Sequence, residues 1–155
     1  MHSRIFQVSM EPIDKDDYIE ESNYYDHWFT NSVADYVSDS EYRDEDLKWI
    51  EDCYDTRGIK FGVDNNGEYL IVEDKRKYFE NSFNKFMKAI SKIQNCTIDD
   101  FANGISEMWQ LKDSYEEKFG FYVDADGELM TFDYFMRNCA VNEKYYLGGT
   151  VDYHA

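Results

Sequence analysis

The chain holds one proline, three cysteines, three histidines, and 16 basic side chains against 33 acidic ones. Each scarcity removes a class of explanation. Cys53, Cys96 and Cys139 are odd in number and lack CxxC spacing, which argues against a disulfide framework or a zinc site and predicts buried free thiols. His2 and His154 stand near the ends of the sequence, and no second histidine lies at ligand spacing from His27, so no metal is expected. No run approaches the ~20 apolar residues that a membrane-spanning helix needs, and MHSRIFQVSMEPIDKDD lacks the apolar centre of a signal peptide. A cytoplasmic protein is the expectation. P-loop, nucleophile-elbow and dinucleotide-binding patterns are absent, so neither a cofactor nor a catalytic residue is predicted and the chain is not read as an enzyme.

What is plentiful is acid and aromatic surface. The chain of 155 residues is 43% apolar and 18% aromatic, enough for one domain to fold without cross-links and too apolar for a disordered tail. Its net charge is −17, and residues 11–55 carry 16 acidic side chains against Lys15, Arg43 and Lys48. Such a field opposes direct contact with nucleic acid or anionic membrane and favours a basic protein partner. The basic row Lys77, Lys85, Lys88 and Lys92 is read as a solvated helix face or an internal counter-charge.

Periodicity predicts the elements. Residues 4–10 alternate as a strand with Phe6, Val8 and Met10 on one face; residues 14–37 are helical with a break near Ser22 and Asn23. Ser38 and Glu41 have capping-box spacing before a helix that buries Leu47, Ile50 and Tyr54. GIKFGVDNNGEYLIV (58–72) and FGFYVDADGELMTF (119–132) read as hairpins. Between them, a helix over 75–93 turns Phe79, Phe83, Phe86 and Ile90 inward. Another, capped by Thr97 and Asp100, buries Ile98, Phe101, Ile105, Met108, Leu111 and Tyr115. A final strand, KYYLGGTVDYH (144–154), puts Tyr145, Leu147, Val151 and Tyr153 on one side, allows a bulge at Gly148 and Gly149, and pairs with the first strand.

The expected fold is therefore one α+β domain over residues 1–155, with an antiparallel sheet of two hairpins plus N- and C-terminal strands and four to five helices. The hairpins also match each other at an offset of 60: Phe61, Val63, Asp64, Gly67 and Glu68 fall on Phe121, Val123, Asp124, Gly127 and Glu128. This predicts an internal duplication of a helix–hairpin unit, residues 41–74 and 102–134. DADGELMTFDYF is similar to the second half of a calcium-binding EF-hand loop, but Tyr122 falls at its first ligand position, which favours a hairpin turn.

PIDKDDYIEESNYYDHWF (12–29) carries the functional expectation. On a helix, Asp14, Asp17 and Glu21 form one row and Asp16 and Glu20 another, ~5–6 Å apart and comparable to successive phosphates. Asp44, Asp52 and Asp55 extend the acidic face from the following helix, and Tyr18, Tyr24, Tyr25 and Trp28 are candidate anchors against a partner. These features predict a non-catalytic acidic binding protein, a nucleic-acid-mimicking inhibitor of a basic nucleic-acid-processing protein. In charge and size, and in no motif, the chain resembles DNA-mimic antirestriction proteins, anti-CRISPR proteins and immunity proteins against nuclease toxins. The alternatives are a solvated acidic face, or a scaffold or regulatory domain that binds a basic protein or peptide through the hairpins and Asp64 and Asp124.

Overall fold

A computed structural model describes all 155 residues. Strand β1 (His2–Ser9) is followed by single 3-10 turns at Lys15–Asp17 and Glu21–Tyr24, helix α1 (Trp28–Ser32) and strand β2 (Tyr36–Asp39). Helix α2 (Arg43–Tyr54) leads into the hairpin β3 (Ile59–Asp64) and β4 (Gly67–Val72). Helices α3 (Lys75–Gln94), α4 (Ile98–Asn103) and α5 (Glu107–Tyr115) precede the second hairpin, β5 (Tyr122–Ala125) and β6 (Glu128–Thr131). Helix α6 (Phe132–Asn138) and strand β7 (Lys144–His154) complete a single α+β domain.

The seven strands form one sheet in the order β3-β4-β7-β1-β5-β6, and β2 pairs with the C-terminal part of β7. Every pairing is antiparallel except β1 with β5. Both faces are covered, so strands with apolar residues on successive positions are buried on both sides. One face carries a core of 17 residues that includes Phe6, Val8, Leu47, Ile50, Phe132 and Met136. The other buries Ile5, Ile19, Tyr24, Phe29, Ala34, Tyr122, Val151 and Tyr153. The acidic segment is thus a thin layer over the second face.

The first and last long strands pair as expected, and the glycine bulge is present. Phe6 faces Thr150 but Val8 faces Leu147, which leaves one extra residue on β7 opposite Gln7. A bulge of one residue inverts the alternation of side chains. Tyr145 and Leu147 therefore enter the first core while Val151 and Tyr153 enter the second, correcting the expectation of one shared side.

Other expectations change for identifiable reasons. Residues 14–37 hold only the five-residue α1 and two single 3-10 turns in place of the expected helices: five carboxylates within residues 14–21 repel one another at helical spacings, and Trp28 and Tyr36 face solvent while Phe29 is buried. Ser38 lies in β2, and Tyr42 begins α2 without a side-chain cap; Asp44 and Glu45 complement the helix dipole in the first turn. Met10 is exposed, as is Cys53, whereas Cys139 is buried. The second hairpin ends at Thr131, whose hydroxyl accepts a hydrogen bond from Tyr134 N (3.1 Å) and starts α6. The capping box at Thr97 and Asp100 forms, but the backbone turns at Gly104 (φ +95°) and splits the predicted helix into α4 and α5. Ile98 and Phe101 on α4 are consequently exposed, as are Met108 and Tyr115 on α5, which packs against α3 and not against the sheet.

Both sequence-matched units run helix then hairpin. Both turns are two residues long, but the second is displaced by one position from the sequence match, since Asp64 pairs with Gly67 whereas Ala125 pairs with Glu128. The first hairpin joins the sheet through its second strand and the other through its first. No helix is long and apolar enough to cross a membrane.

Candidate acidic interface

The acidic segment is held by its backbone and by a few buried side chains. Gln7 sits opposite the bulge, where its Nε2 donates to Asp17 O (3.0 Å) and its Oε1 accepts from Ile19 N (3.2 Å) and Gly149 N (3.1 Å). A Cβ on Gly148 would overlap Gln7 Oε1, and one on Gly149 would meet Ile19 backbone atoms at 2.8 Å. Two glycines let the segment approach β7. Ile19, Tyr24 and Phe29 then anchor it in the second core.

Arg43 joins this layer to α2. Its guanidinium lies 4.9 Å from the centre of the Tyr18 ring, donates to Gly148 O (2.6 Å) and Leu147 O (2.9 Å), and pairs with Glu68 at 3.2 Å. The pairing holds the Glu68 carboxyl below its ordinary range. Asp44, also paired with Arg43 at 3.3 Å, stands beside the Tyr18 segment and points to solvent.

Asp14, Asp16, Asp17 and Glu20 are exposed, and no cation lies within 4.0 Å of any of them. The helical rows predicted for Asp14, Asp17 and Glu21 and for Asp16 and Glu20 do not form, so the phosphate-like spacing is lost with the helix. Glu21 is committed locally. It accepts from Tyr25 OH (2.5 Å) and Asp39 N (3.3 Å), and its own N–H donates to Asp39 Oδ1 (2.7 Å). That hydrogen bond raises the Tyr25 phenol above its ordinary value.

Tyr24 is not an anchor for a partner. It is 1% exposed, and its hydroxyl donates to Asp124 Oδ2 (2.9 Å); burial, with Asp124 beside it, pushes its pKa upward. Tyr25 and Trp28 remain exposed, and Trp28 opens α1 beside a cleft of about 500 Å³ shared with Tyr122 and Tyr134. Asp52 pairs with Lys48 at 2.9 Å, while Asp55 caps the far end of α2, roughly 16 Å along the axis from Asp44 at ~1.5 Å per residue. Asp14, Asp16, Asp17 and Glu20 thus share one exposed segment, Asp44 is linked to it through Arg43, and Asp52 and Asp55 lie further along α2.

The protein-family models, the curated proteins and the solved structures give no match to this chain. The site rests on its own geometry. The carboxylates that the hairpin alternative needs are engaged internally: Asp64 accepts from Lys144 (2.7 Å) and Tyr146 (3.1 Å), and Asp124 accepts from Tyr24 and from Gly127 N (2.9 Å). Lys144 keeps the Asp64 carboxyl below its ordinary range.

Sequence patterning also misses a buried ionic cluster. Arg4 pairs with Asp46 through Nε (2.5 Å) and with Asp152 through Nη1, while Asp46 accepts from Ser40 and from Thr150 (2.8 Å). Asp46 is 4% exposed. The only signal in the sequence is an acidic residue directly before Leu47 on a helix whose other acids face outward. The cluster ties α2 to β1 and β7, which is a structural task.

Proposed function

We propose that the protein is a non-catalytic binding protein that presents fixed negative charge to a basic surface on a partner protein. The observation that carries this reading is the set of unpaired, exposed carboxylates at Asp14, Asp16, Asp17 and Glu20 on a backbone pinned by Gln7. A charged surface ordered in advance loses little conformational freedom on binding and accelerates encounter with an oppositely charged partner. Tyr25 and Trp28, exposed on the same segment, supply apolar contact that slows dissociation. The partner class that fits is a protein with a basic groove for nucleic acid, such as a nuclease, restriction enzyme, CRISPR effector or toxin. Inhibition then follows from occupying that groove by charge density alone, without copying phosphate spacing.

The test compares the wild type with the variant Asp14→Asn, Asp16→Asn, Asp17→Asn and Glu20→Gln. Each is immobilised in host lysate at low salt and eluted with a salt gradient. The expected result is a nucleic-acid-binding protein that elutes from the wild type, is missing from the variant, and is displaced by duplex DNA. Equal capture by both proteins, or retention that ignores salt, refutes the proposal and leaves a solvated acidic face.

A further inference from the structure

The layer of α3, α4 and α5 presents apolar side chains to solvent on a scale that neither the core nor the acidic site uses. Ile98 is 78% exposed and Phe101 and Trp109 are each 69% exposed, with Phe83, Met87 and Met108 exposed beside them. Phe86, Trp109 and Tyr115 help line an open groove of about 450 Å³ in which Lys112 is the one charged side chain. Soluble monomers rarely leave large contiguous apolar patches uncovered. The apolar stripe of α3 is real, and much of it lacks a partner within the chain.

Charge narrows what can cover this face. Residues 75–118 contain eight basic and seven acidic side chains, a net charge of +1, so the other residues together carry −18. Six of the bases stand on α3, whereas residues 95–118 hold six acidic and two basic side chains, so a second, identical chain can set its α3 against the acidic α4–α5 stretch of the first. The mixed signs also suit a rim that must complement itself across a twofold axis. The six bases of α3 oppose a basic partner, and the remainder of the molecule repels a polyanion.

The geometry points to a homodimer formed by the α3–α5 layer, with Phe101, Met108 and Trp109 of each copy packed into the apolar face of the other. Helix α3 has 20 residues, about 30 Å at ~1.5 Å per residue, long enough for α3 and α5 from two copies to pack as four helices. The dimer presents two acidic surfaces, each free of the contact.

Sedimentation velocity over a range of protein concentration, at about 50 mM and about 500 mM NaCl, tests the assignment. The wild type should reach twice the monomer mass of 18.5 kDa, and more readily at high salt, because salt screens the repulsion between two −17 chains. Phe101→Glu with Trp109→Glu should weaken the dimer by about 30-fold or more while circular dichroism stays unchanged, since both side chains lie outside the core. The variant neutralised at positions 14, 16, 17 and 20 should dimerise at least as well as the wild type. A wild type that stays monomeric at every concentration and salt overturns the inference, as does a Glu variant that dimerises normally.

Discussion

Replacing Gln7 with alanine should release the acidic segment while leaving the protein folded. Three hydrogen bonds disappear, those to Asp17 O, Ile19 N and Gly149 N. Water can replace the amide at Asp17, which is exposed, but Ile19 is 9% exposed and Gly149 lies in the buried part of β7. Those two N–H groups lose a partner where solvent reaches poorly, at about 1–1.5 kcal/mol each, giving a loss of about 2–3 kcal/mol. For a chain of this size the melting temperature should fall by about 5–10 °C. Hydrogen exchange should locate the change, with faster exchange at Ile19 and Gly149 and none at Leu70 or Val123. Gln7→Glu keeps an acceptor at this position but loses the donor to Asp17, so it should fall between the two. A melting temperature within about 2 °C of the wild type, with Ile19 equally protected, would refute the claim that Gln7 pins the segment.

Asp46→Ala should cost about 3 kcal/mol, because it removes one partner of a buried ion pair and leaves the Ser40 and Thr150 hydroxyls without an acceptor; urea denaturation measures it, and a loss under about 1 kcal/mol sinks the reasoning. Arg4 keeps Asp152, which limits the loss to the lower end of the usual range. Glu68 contributes through its pairing with Arg43, which depresses its folded-state pKa below the ordinary 4.5. Its stabilisation is thus present above about pH 4.5 and is lost as pH falls through the lower folded value. Glu68→Gln should therefore unfold at lower temperature than the wild type near pH 6, with the difference shrinking on acidification; a constant difference would contradict the assignment.

The parts of the fold that sequence reveals are those set by local pattern. Alternation located β1 and β7, the Asn65-Asn66-Gly67 and Asp126-Gly127 runs placed the hairpin turns, and the Thr97 and Asp100 spacing marked a true helix start. What pattern hides is set by tertiary contacts. Residues 14–24 have acidic side chains at helical intervals, yet their path over the sheet depends on contacts far off in sequence, among them one glutamine on a neighbouring strand and the gap that two glycines leave. Tyr24 and Tyr25 are adjacent and chemically identical, but one is buried against Asp124 and the other stands in solvent. An amphipathic stripe likewise announces that α3 and α5 have an apolar side without saying whether the chain itself supplies the cover.

The bulged strand β7 also governs when this protein can fold. β1, β2 and β4 all hydrogen-bond to β7, and all three are synthesised before it. A nascent chain therefore carries unpaired strands and both halves of its hydrophobic interior until β7 emerges, a delay typical of folds dominated by long-range pairing. Residues 11–55, just after β1, hold 16 acidic side chains against three basic ones, and a net charge of that sign opposes association between such waiting chains.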